Sequence, residues 1–384
     1  MNFKILFPLY LGAVIGPMGG IGIVTLIPVL AQNWAVEFST ASIAITFYMI
    51  PFIVIQLFSG SIAQLFNVRK TLLFGFTTYA LGGIFCGLSS DLWILLGSRI
   101  VQGVGAAFLT PIIMALIGEL VLEKHVGKAI GILGLAYTVG VTLGPLISGL
   151  IEVRYGWPWF FFFLSALSLI AGGLYWISSE PIQLEDASQA GILSVLPTIK
   201  RALAQPGVLY LSFSAFSLFI GYIGIMTFTA DFLRNNFNLP SDRIGTILSS
   251  SGFSGMIVSP IAGFLGDKLG RRHVFIGGTV VAFICIGLMA FIPYSYSKSL
   301  ILFLFFGIGA ATAWTSLNTM GVQISPSFRK PVTSVYNSIK FAGYAISPVI
   351  LSMFYNTFQL KAVQMGCMGA VVISSILAIQ AKTK

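Results

Sequence analysis

Long apolar stretches recur along almost the whole chain, and they constrain its fold more than any other feature. A helix that crosses the hydrocarbon core of a bilayer needs about 20 predominantly apolar residues. Twelve windows of this kind can be placed, and they lie near residues 8–31, 40–64, 70–89, 92–118, 127–150, 157–178, 207–230, 244–265, 273–293, 299–321, 332–355 and 362–381. The sequence therefore predicts an all-α membrane protein with twelve transmembrane helices.

The composition favours the same class and excludes others. Hydrophobic residues make up 57% of the 384 residues and charged residues only 8%, whereas a soluble domain carries about 25% charged residues. The net charge of +10 comes from lysines and arginines in runs no longer than two, so the clustered bases of a nucleic-acid-binding surface are absent. Cys86, Cys285 and Cys367 lie far apart in apolar stretches. We therefore expect no metal site, no cofactor and no enzyme active site.

The distribution of cationic residues between alternate loops predicts the orientation. Cytoplasmic loops of membrane proteins carry an excess of lysine and arginine. With the N-terminus in the cytoplasm, fourteen such residues fall inside and five outside. The first apolar window is also longer than the apolar core of a secretory signal, so we expect a retained helix. Both termini are predicted to be cytoplasmic, in a multi-pass protein of the cell membrane.

A polar segment divides the twelve windows into two sets of six. The predicted organisation is an N-terminal six-helix bundle over residues 1–178, a cytoplasmic linker over 179–206, and a C-terminal six-helix bundle over 207–384. The later part of the linker has apolar residues at helical spacing, which predicts a short amphipathic helix on the membrane face.

The two halves repeat each other in sequence. A shift of 203 positions places Gly140 on Gly343 and Pro145 on Pro348, and a shift of 204 places the segment 103–107 on 307–311. A parallel repeat of six plus six helices is typical of transporters in which one half rocks against the other around a central site. We therefore expect pseudo-symmetric bundles with the site between them.

The loop between windows eight and nine gives the first family resemblance. It reads Gly263-Phe-Leu-Gly-Asp267-Lys-Leu-Gly270-Arg271-Arg272, and it resembles the loop signature of the major facilitator superfamily. In the first half the equivalent loop begins at Gly60 but has Gln64 in place of the signature aspartate and Asn67 in place of the second glycine. In that family the aspartate and an arginine of this loop form an inter-helix latch with a carboxylate at the end of the fourth helix. In the first half of this chain only Arg69 and Glu119 could keep part of such a latch.

Two further motifs resemble the same family. Leu95-Leu-Gly-Ser-Arg99-Ile-Val-Gln102-Gly103-Val-Gly105 is similar to its fourth-helix signature, which implies that Arg99 takes part in proton coupling or in cavity electrostatics. An intramembrane arginine is a functional candidate by default, although one that only binds backbone carbonyls would hold helices together. Gly140-Val-Thr-Leu-Gly144-Pro145 is similar to the fifth-helix signature of drug and metabolite antiporters, or is a generic helix-packing face.

Candidate residues for substrate binding and coupling follow from polar residues within the windows. Lys340 lies in window eleven with Tyr336, Asn337 and Tyr344 near the same helical face. Because desolvation disfavours the charged form of a lysine, Lys340 can carry the coupled proton or contact the substrate, unless it is paired locally or reaches outward. Asp231 is the best-placed carboxylate, either as a proton site or as a partner of Arg234. Tyr137 and Trp314 are further candidates for the cavity lining.

The resemblance implies a monomeric secondary transporter that binds a small molecule, with protons as the coupling ion and membrane lipid around it. The two buried cations favour a lipophilic or anionic substrate, and the fifth-helix motif favours efflux of the multidrug-resistance type by antiport. A metabolite importer or facilitator on the same fold is the first alternative, and a non-transporting membrane receptor or scaffold is the second. In all of them Gly60, Arg69, Glu119, Gly140, Gly144, Pro145, Gly263, Asp267, Gly270 and Arg271 are candidates for conformational gating.

Overall fold

The computed structural model describes residues 3–179, 195–325 and 328–381. Over these residues the only regular elements are helices: α1 Phe3–Asn33, α2 Phe38–Phe66, α3 Val68–Gly87, α4 Leu92–Leu120, α5 Glu123–Tyr155, α6 Pro158–Ser178, α7 Val195–Leu203, α8 Val208–Phe237, α9 Ser241–Leu269, α10 Arg271–Phe291, α11 Tyr296–Gln323 and α12 Arg329–Gln380. Helices dominate because lipid cannot satisfy backbone N–H and C=O groups, which must therefore bond within the segment.

The described helices account for the predicted crossings. Ten of them are long and apolar enough to cross a membrane. The helix α12 is counted once among the ten, although Gln359 has a non-helical backbone (φ 59°) that divides it into residues 329–358 and 360–380. The helix α3 is not among the ten because Arg69 and Lys70 in its first turn and the threonines and glycines that follow lower its mean hydropathy. With α12 taken as two segments and α3 included, the predicted all-α membrane fold with twelve crossings is confirmed.

Only part of the predicted linker lies within the described residues. The nine-residue helix α7 falls in it and packs its buried Ala202 with Val332 and Val335 at the start of α12. Residues 180–194 lie outside the described part of the chain. The domain boundaries therefore remain predictions.

Glycine contacts in the two halves match each other and give the sequence repeat a physical meaning. A Cβ added at Gly105 would lie 2.3 Å from the backbone nitrogen of Tyr79, and one added at Gly309 would lie 2.5 Å from that of Ala282. The two pairs are related by offsets of 204 and 203 residues. In both halves the missing side chain lets two helices approach at backbone distance. The repeat thus preserves helix-to-helix packing.

The connections define two ends of the helix bundle. We call the end at which α1 begins the proximal end and the end at which α1 finishes, near Asn33, the distal end. Short connections join consecutive helices within each set of six, and Asn235 near the end of α8 contacts Gln32 at the distal end. Therefore α2, α4, α6, α9 and α11 begin at the distal end, and α3, α5, α8, α10 and α12 begin at the proximal end.

Candidate functional site

The distal ends of the two sets of six helices are joined by polar side chains. Gln32 at the end of α1 donates to Asn235 of α8 (3.0 Å) and accepts from Arg234 (3.3 Å). Asn356 of α12 donates to Glu37 (3.4 Å) and Ser39 (3.3 Å) at the start of α2. These bonds close the distal end.

The helices α5 and α9 meet at backbone distance over their distal halves and separate toward the proximal end. A Cβ at Gly149 would lie 2.2 Å from the carbonyl oxygen of Ser241, and one at Gly245 would lie 2.2 Å from that of Pro145. Nearer the proximal end, Gly134 of α5 and Gly263 of α9 have open space around them within 4 Å. The space between these helices therefore opens toward the proximal end.

A cavity lies where α5 and α9 begin to separate. The space between its walls, together with the open solvent at its mouth, amounts to about 550 Å³. Residues of α5, α8, α9 and α11 line it, so it lies between the two sets of helices. The described residues that line it are aromatic, small or hydroxyl-bearing, and none is charged: Tyr137, Thr138, Val141, Thr142, Tyr222, Ser251, Gly252, Gly255, Ser259, Gly307, Ala310, Ala311 and Trp314.

Two of the predicted lining residues, Tyr137 and Trp314, line this cavity. The Tyr137 hydroxyl donates to the carbonyl oxygen of Thr110 (3.0 Å), which fixes its ring. Tyr222 packs edge-on against Trp314, with ring centroids 6.2 Å apart. Thr142 is fully buried and its hydroxyl has no hydrogen-bond partner among the described residues. The cavity therefore offers aromatic faces, while the Thr142 hydroxyl lies at the close contact between α5 and Gly252 of α9.

Lys340 lies beside the cavity wall rather than in the lining. Its side chain is only 7% exposed, and its ammonium donates to Asn337 Oδ1 (2.8 Å) and more weakly to Asn318 Oδ1 (3.5 Å). Three aromatic rings lie within cation–π reach, with ring centroids 4.7 Å (Phe341), 5.5 Å (Tyr336) and 5.6 Å (Phe219) from Nζ. No carboxylate of the described residues pairs with it.

The residues predicted to share a face with Lys340 take two different places. The Tyr336 hydroxyl donates to Asn318 Oδ1 (2.9 Å), so Tyr336 lies with Asn337 in the group of side chains around Lys340. Tyr344 packs on Phe219 at 6.4 Å, and its buried hydroxyl has no partner among the described residues. We name Phe219, Asn318, Tyr336, Asn337, Lys340 and Phe341 the lysine cluster.

Arg99 is fully buried within α4 and holds neighbouring helices together. It donates to the carbonyl oxygens of Ala44 (3.3 Å) and Gly19 (3.2 Å) and to Gln102 Oε1 (2.6 Å). Its Cζ lies 4.2 Å from the ring centroid of Tyr48. These partners come from α1, α2 and α4, which fits the helix-holding alternative. The structure does not place Arg99 on the cavity.

Asp231 lies near the distal end of α8 and is buried. Its carboxylate accepts from the hydroxyl of Tyr355 (2.5 Å) and from the side-chain amide of Asn235 (2.8 Å). Arg234, the partner considered from the sequence, instead donates to Gln32 and to the hydroxyl of Ser241 (3.1 Å). That pairing was wrong because residues three apart on α8 here point to different neighbours.

The gating candidates divide between the two loops. Asp267 accepts a hydrogen bond from Arg271, which also donates to the carbonyl oxygen of Gly263 (2.9 Å), and Gly270 has the positive φ of 89° that this turn requires. In the first half the structure does not bring Arg69 and Glu119 together: Arg69 donates to the carbonyl oxygen of Trp176 (2.6 Å). Glu119 is exposed and forms no ion pair with any described residue.

The remaining gating candidates contact α1 or open space. A Cβ at Gly140 would lie 2.3 Å from the carbonyl oxygen of Val14, and one at Gly144 would lie 2.9 Å from that of Met18. Pro145 lies inside α5, and its carbonyl accepts from Thr25 (3.3 Å). Gly60, near the proximal end of α2, has nothing within 4 Å.

Sequence reasoning missed Asn318, Phe219, Tyr222 and Phe341. Asn318 could have been found, since a polar amide within an apolar segment is uncommon and worth attention. The aromatic residues lie in continuous apolar runs, where nothing separates a cavity wall from a lipid-facing side chain.

Comparison with known proteins decides the family. The model of the Major Facilitator Superfamily matches residues 9–348. The chain belongs to the major facilitator superfamily. It is similar to a riboflavin transporter of Clostridioides difficile strain 630, with 23% identity over 85% of this chain and 82% of that protein. The members of this superfamily are transporters, so the chain is a transporter-family membrane protein and not an enzyme.

Two further relatives of this superfamily chain come from Bacillus subtilis strain 168. The bacillibactin exporter is 24% identical over 87% of this chain and 86% of its own length. Multidrug resistance protein 2 is 25% identical over 73% of this chain and 72% of its own length. At these identities the relatives agree on a small-molecule transporter and differ in what their names say they carry.

Proposed function

We propose that this chain exports a small lipophilic or anionic compound in exchange for protons. The pocket between α5, α8, α9 and α11 would be exposed alternately to the two sides of the membrane, in a monomer surrounded by lipid. The observation that carries the proposal is the uncharged cavity between the two sets of helices, open toward the proximal end, with the buried cation Lys340 beside its wall.

Export is favoured over other directions by two of the three relatives described above. One is named an exporter and another a multidrug resistance protein. Proton coupling rests on Lys340, because desolvation disfavours the charged form of a lysine and a lysine can release its proton. Asp231 is the second proton candidate, held at the distal end by Tyr355 and Asn235.

The orientation predicted from loop charge assigns the open end of the cavity to one side of the membrane. With both termini in the cytoplasm, the proximal end faces the cytoplasm and the cavity is open to it. Single cysteines introduced at positions 37 or 298 should react with a membrane-impermeant maleimide added to intact cells, and those at 201 or 329 should not. Labelling at 201 from outside would reverse the orientation and with it the direction proposed.

The transport test uses purified protein in proteoliposomes with an imposed pH gradient, screened over dyes, antibiotics, organic acids and riboflavin. Proton antiport predicts accumulation of substrate in vesicles with an acidic lumen, and a protonophore should abolish it. Protein-free vesicles are the control for passive entry of weak acids and bases.

A metabolite importer or facilitator is the second candidate, favoured by the similarity to the riboflavin transporter. The same vesicles separate the two. Equilibration without dependence on the gradient would identify a facilitator, and accumulation only with an alkaline lumen would identify proton symport. Either result would overturn proton-coupled export.

A further inference from the structure

Lys340 is a buried cation that lacks a counter-charge. An ammonium has three N–H donors, and this one has a single close acceptor, Asn337, and a distant one, Asn318. Within the described ranges no carboxylate reaches it. A buried charge without a partner is costly, and amide oxygens and aromatic faces compensate only part of that cost. The lysine cluster is therefore incomplete until an anionic group joins it.

The neighbouring cavity is built for a flat apolar body. Tyr137, Tyr222 and Trp314 line it with rings, and Gly252, Gly255 and Gly307 leave the space that side chains would fill. Aromatic rings prefer other aromatic systems in stacked or edge-on contact. The described lining carries no charge, so it supplies no counter-charge to an ionic group in the cavity itself.

The lysine cluster and the cavity are separated by one aromatic layer. Trp314 packs against Phe219 with ring centroids 5.2 Å apart, and Phe219 in turn lies 5.6 Å from Lys340 Nζ. Asn318 lies four residues beyond Trp314 on α11, on the same helical face and about 6 Å further along the axis. An acid group attached to a ring in the cavity would therefore pass the edge of the Phe219 ring to reach Lys340 Nζ.

We propose that the substrate is a planar aromatic compound carrying a single acidic group. Its ring system occupies the cavity against Trp314, Tyr222 and Tyr137, and its anionic oxygen accepts from the free N–H of Lys340. Asn318 and Asn337 are positioning residues that hold the ammonium toward the cavity. This inference rests on the proposed transport function and specifies its substrate class.

The same geometry selects against the two closest alternatives. A planar aromatic amine would bring a second cation to a site that already holds an uncompensated one, and like charges in a poorly solvated site repel strongly. A neutral aromatic alcohol would fill the cavity but leave Lys340 without its counter-charge.

Three matched probes test the proposal: 2-naphthoate, 2-naphthylmethanol and 2-naphthylmethylammonium. Their binding to the full-length chain in lipid nanodiscs is measured by calorimetry. We expect 2-naphthoate to bind about tenfold or more tightly than the alcohol, as for a buried ion pair gained, and the amine to bind most weakly. Absence of binding by all three, or tighter binding of the amine or alcohol, overturns the proposal.

Two variants test whether Lys340 is the residue that binds the acid group. Lys340→Met keeps an apolar side chain of similar length and should abolish the preference for the acid while the alcohol binds as before. Asn337→Asp keeps the lysine and the shape but places a carboxylate about where the amide oxygen lies, 2.8 Å from Nζ. This variant should also abolish the preference for the acid, because it supplies the counter-charge internally, and it should raise the thermal midpoint. Neither change is expected if Asn337 has only a structural role.

The outcomes keep this inference separate from the proposed function. If the acid preference persists in Asn337→Asp and in folded Lys340→Met, the substrate class is wrong, even where pH-driven transport of another compound is observed. If the acid binds through Lys340 but no pH gradient drives its movement, the substrate class stands and proton-coupled export fails.

Discussion

Arg99 and Lys340 are both cations buried within membrane helices, but their surroundings differ in kind. The Arg99 guanidinium donates to two backbone carbonyls and to Gln102, and its partners lie on α1, α2 and α4. Lys340 meets two amide oxygens and three aromatic rings beside a cavity. The first arrangement bonds Nε and Nη1 of a permanent charge, with Nη2 left without a partner among the described residues, and the second leaves an ammonium able to change its partners.

The positions equivalent to these cations in the opposite halves sharpen the difference. At an offset of 204 residues Arg99 corresponds to Phe303, which is fully buried, and at an offset of 203 Lys340 corresponds to Tyr137 of the cavity lining. Each charge therefore occurs in one half only. The repeat preserves backbone packing, while charge and chemistry depart from it, which is where function is expected in a pseudo-symmetric transporter.

The largest expected effect is loss of coupled transport in Lys340→Ala. The variant should fold, because the cluster loses an uncompensated charge, and its pH-driven transport should fall to the level of protein-free vesicles. Lys340→Arg should not restore transport, because arginine stays protonated in proteins and cannot release the coupled proton. Uptake is measured under an acid-lumen gradient.

Phe303→Leu, at the position equivalent to Arg99, is the matched control, because it changes a buried side chain remote from the lysine cluster. It should keep coupled transport. Normal pH-driven transport by Lys340→Ala would show that Lys340 does not carry the coupled proton. Asp231 would then be the next residue to test.

Arg99→Met is expected to act on stability before it acts on transport. The substitution removes the bonds that tie α4 to Gly19 and Ala44, whose carbonyls keep their bonds within α1 and α2, and it leaves the amide oxygen of Gln102 without its donor, at about 1–3 kcal/mol for that buried group. We expect a lower thermal midpoint in detergent and a reduced yield of monodisperse protein. Lys340→Met in the same assay is the comparison and should unfold at or above the wild-type midpoint. A variant at position 99 with wild-type stability and abolished coupling would show that Arg99 acts in the transport step instead.

Gly245→Ala tests the closed distal end, where α5 and α9 meet. Its Cβ would lie 2.2 Å from the carbonyl oxygen of Pro145, a contact that α5 and α9 must relieve by moving apart. We expect the distal end to open more often, seen as a several-fold faster maleimide reaction of a cysteine at position 241, which is fully buried at this contact, in a background without native cysteines. Gly263→Ala on the same helix is the matched control, since nothing lies within 4 Å of its Cβ.

Equal labelling rates in the two glycine variants would show that close packing of α5 on α9 does not hold the distal end shut. The hydrogen bonds formed by Gln32, Glu37 and Asn356 would then be the contacts that hold the distal end closed.

The sequence was sufficient for the fold, because twelve apolar windows and a 203-residue repeat are properties of the chain itself. It also named Lys340, Tyr137 and Trp314 as candidates, of which Tyr137 and Trp314 line the cavity and Lys340 lies beside it, but nothing in the sequence separated the two aromatic residues from Tyr222. It could not decide what Arg99 touches, because carbonyl partners on α1 and α2 depend on how distant segments pack. For the same reason it paired Arg69 with Glu119 and considered Arg234 for Asp231, although here Trp176 and Tyr355 take those places.

The smallest expected effect belongs to Asp231→Asn, which decides whether the comparison of two cations omits a third coupling group. Asparagine keeps the shape of the carboxylate. Its amide oxygen can still accept from Asn235 while its amide N–H donates to the Tyr355 hydroxyl, so the distal contacts persist at a cost of about 1 kcal/mol or less. If Lys340 carries the proton, pH-driven transport should stay within about twofold of wild type, a change worth less than 0.5 kcal/mol in the barrier. Tyr355→Phe is the matched control, since it removes the hydrogen bond between positions 355 and 231 but keeps the carboxylate of Asp231. Loss of coupling in Asp231→Asn with normal transport by Tyr355→Phe would transfer the proton-carrying role from Lys340 to Asp231.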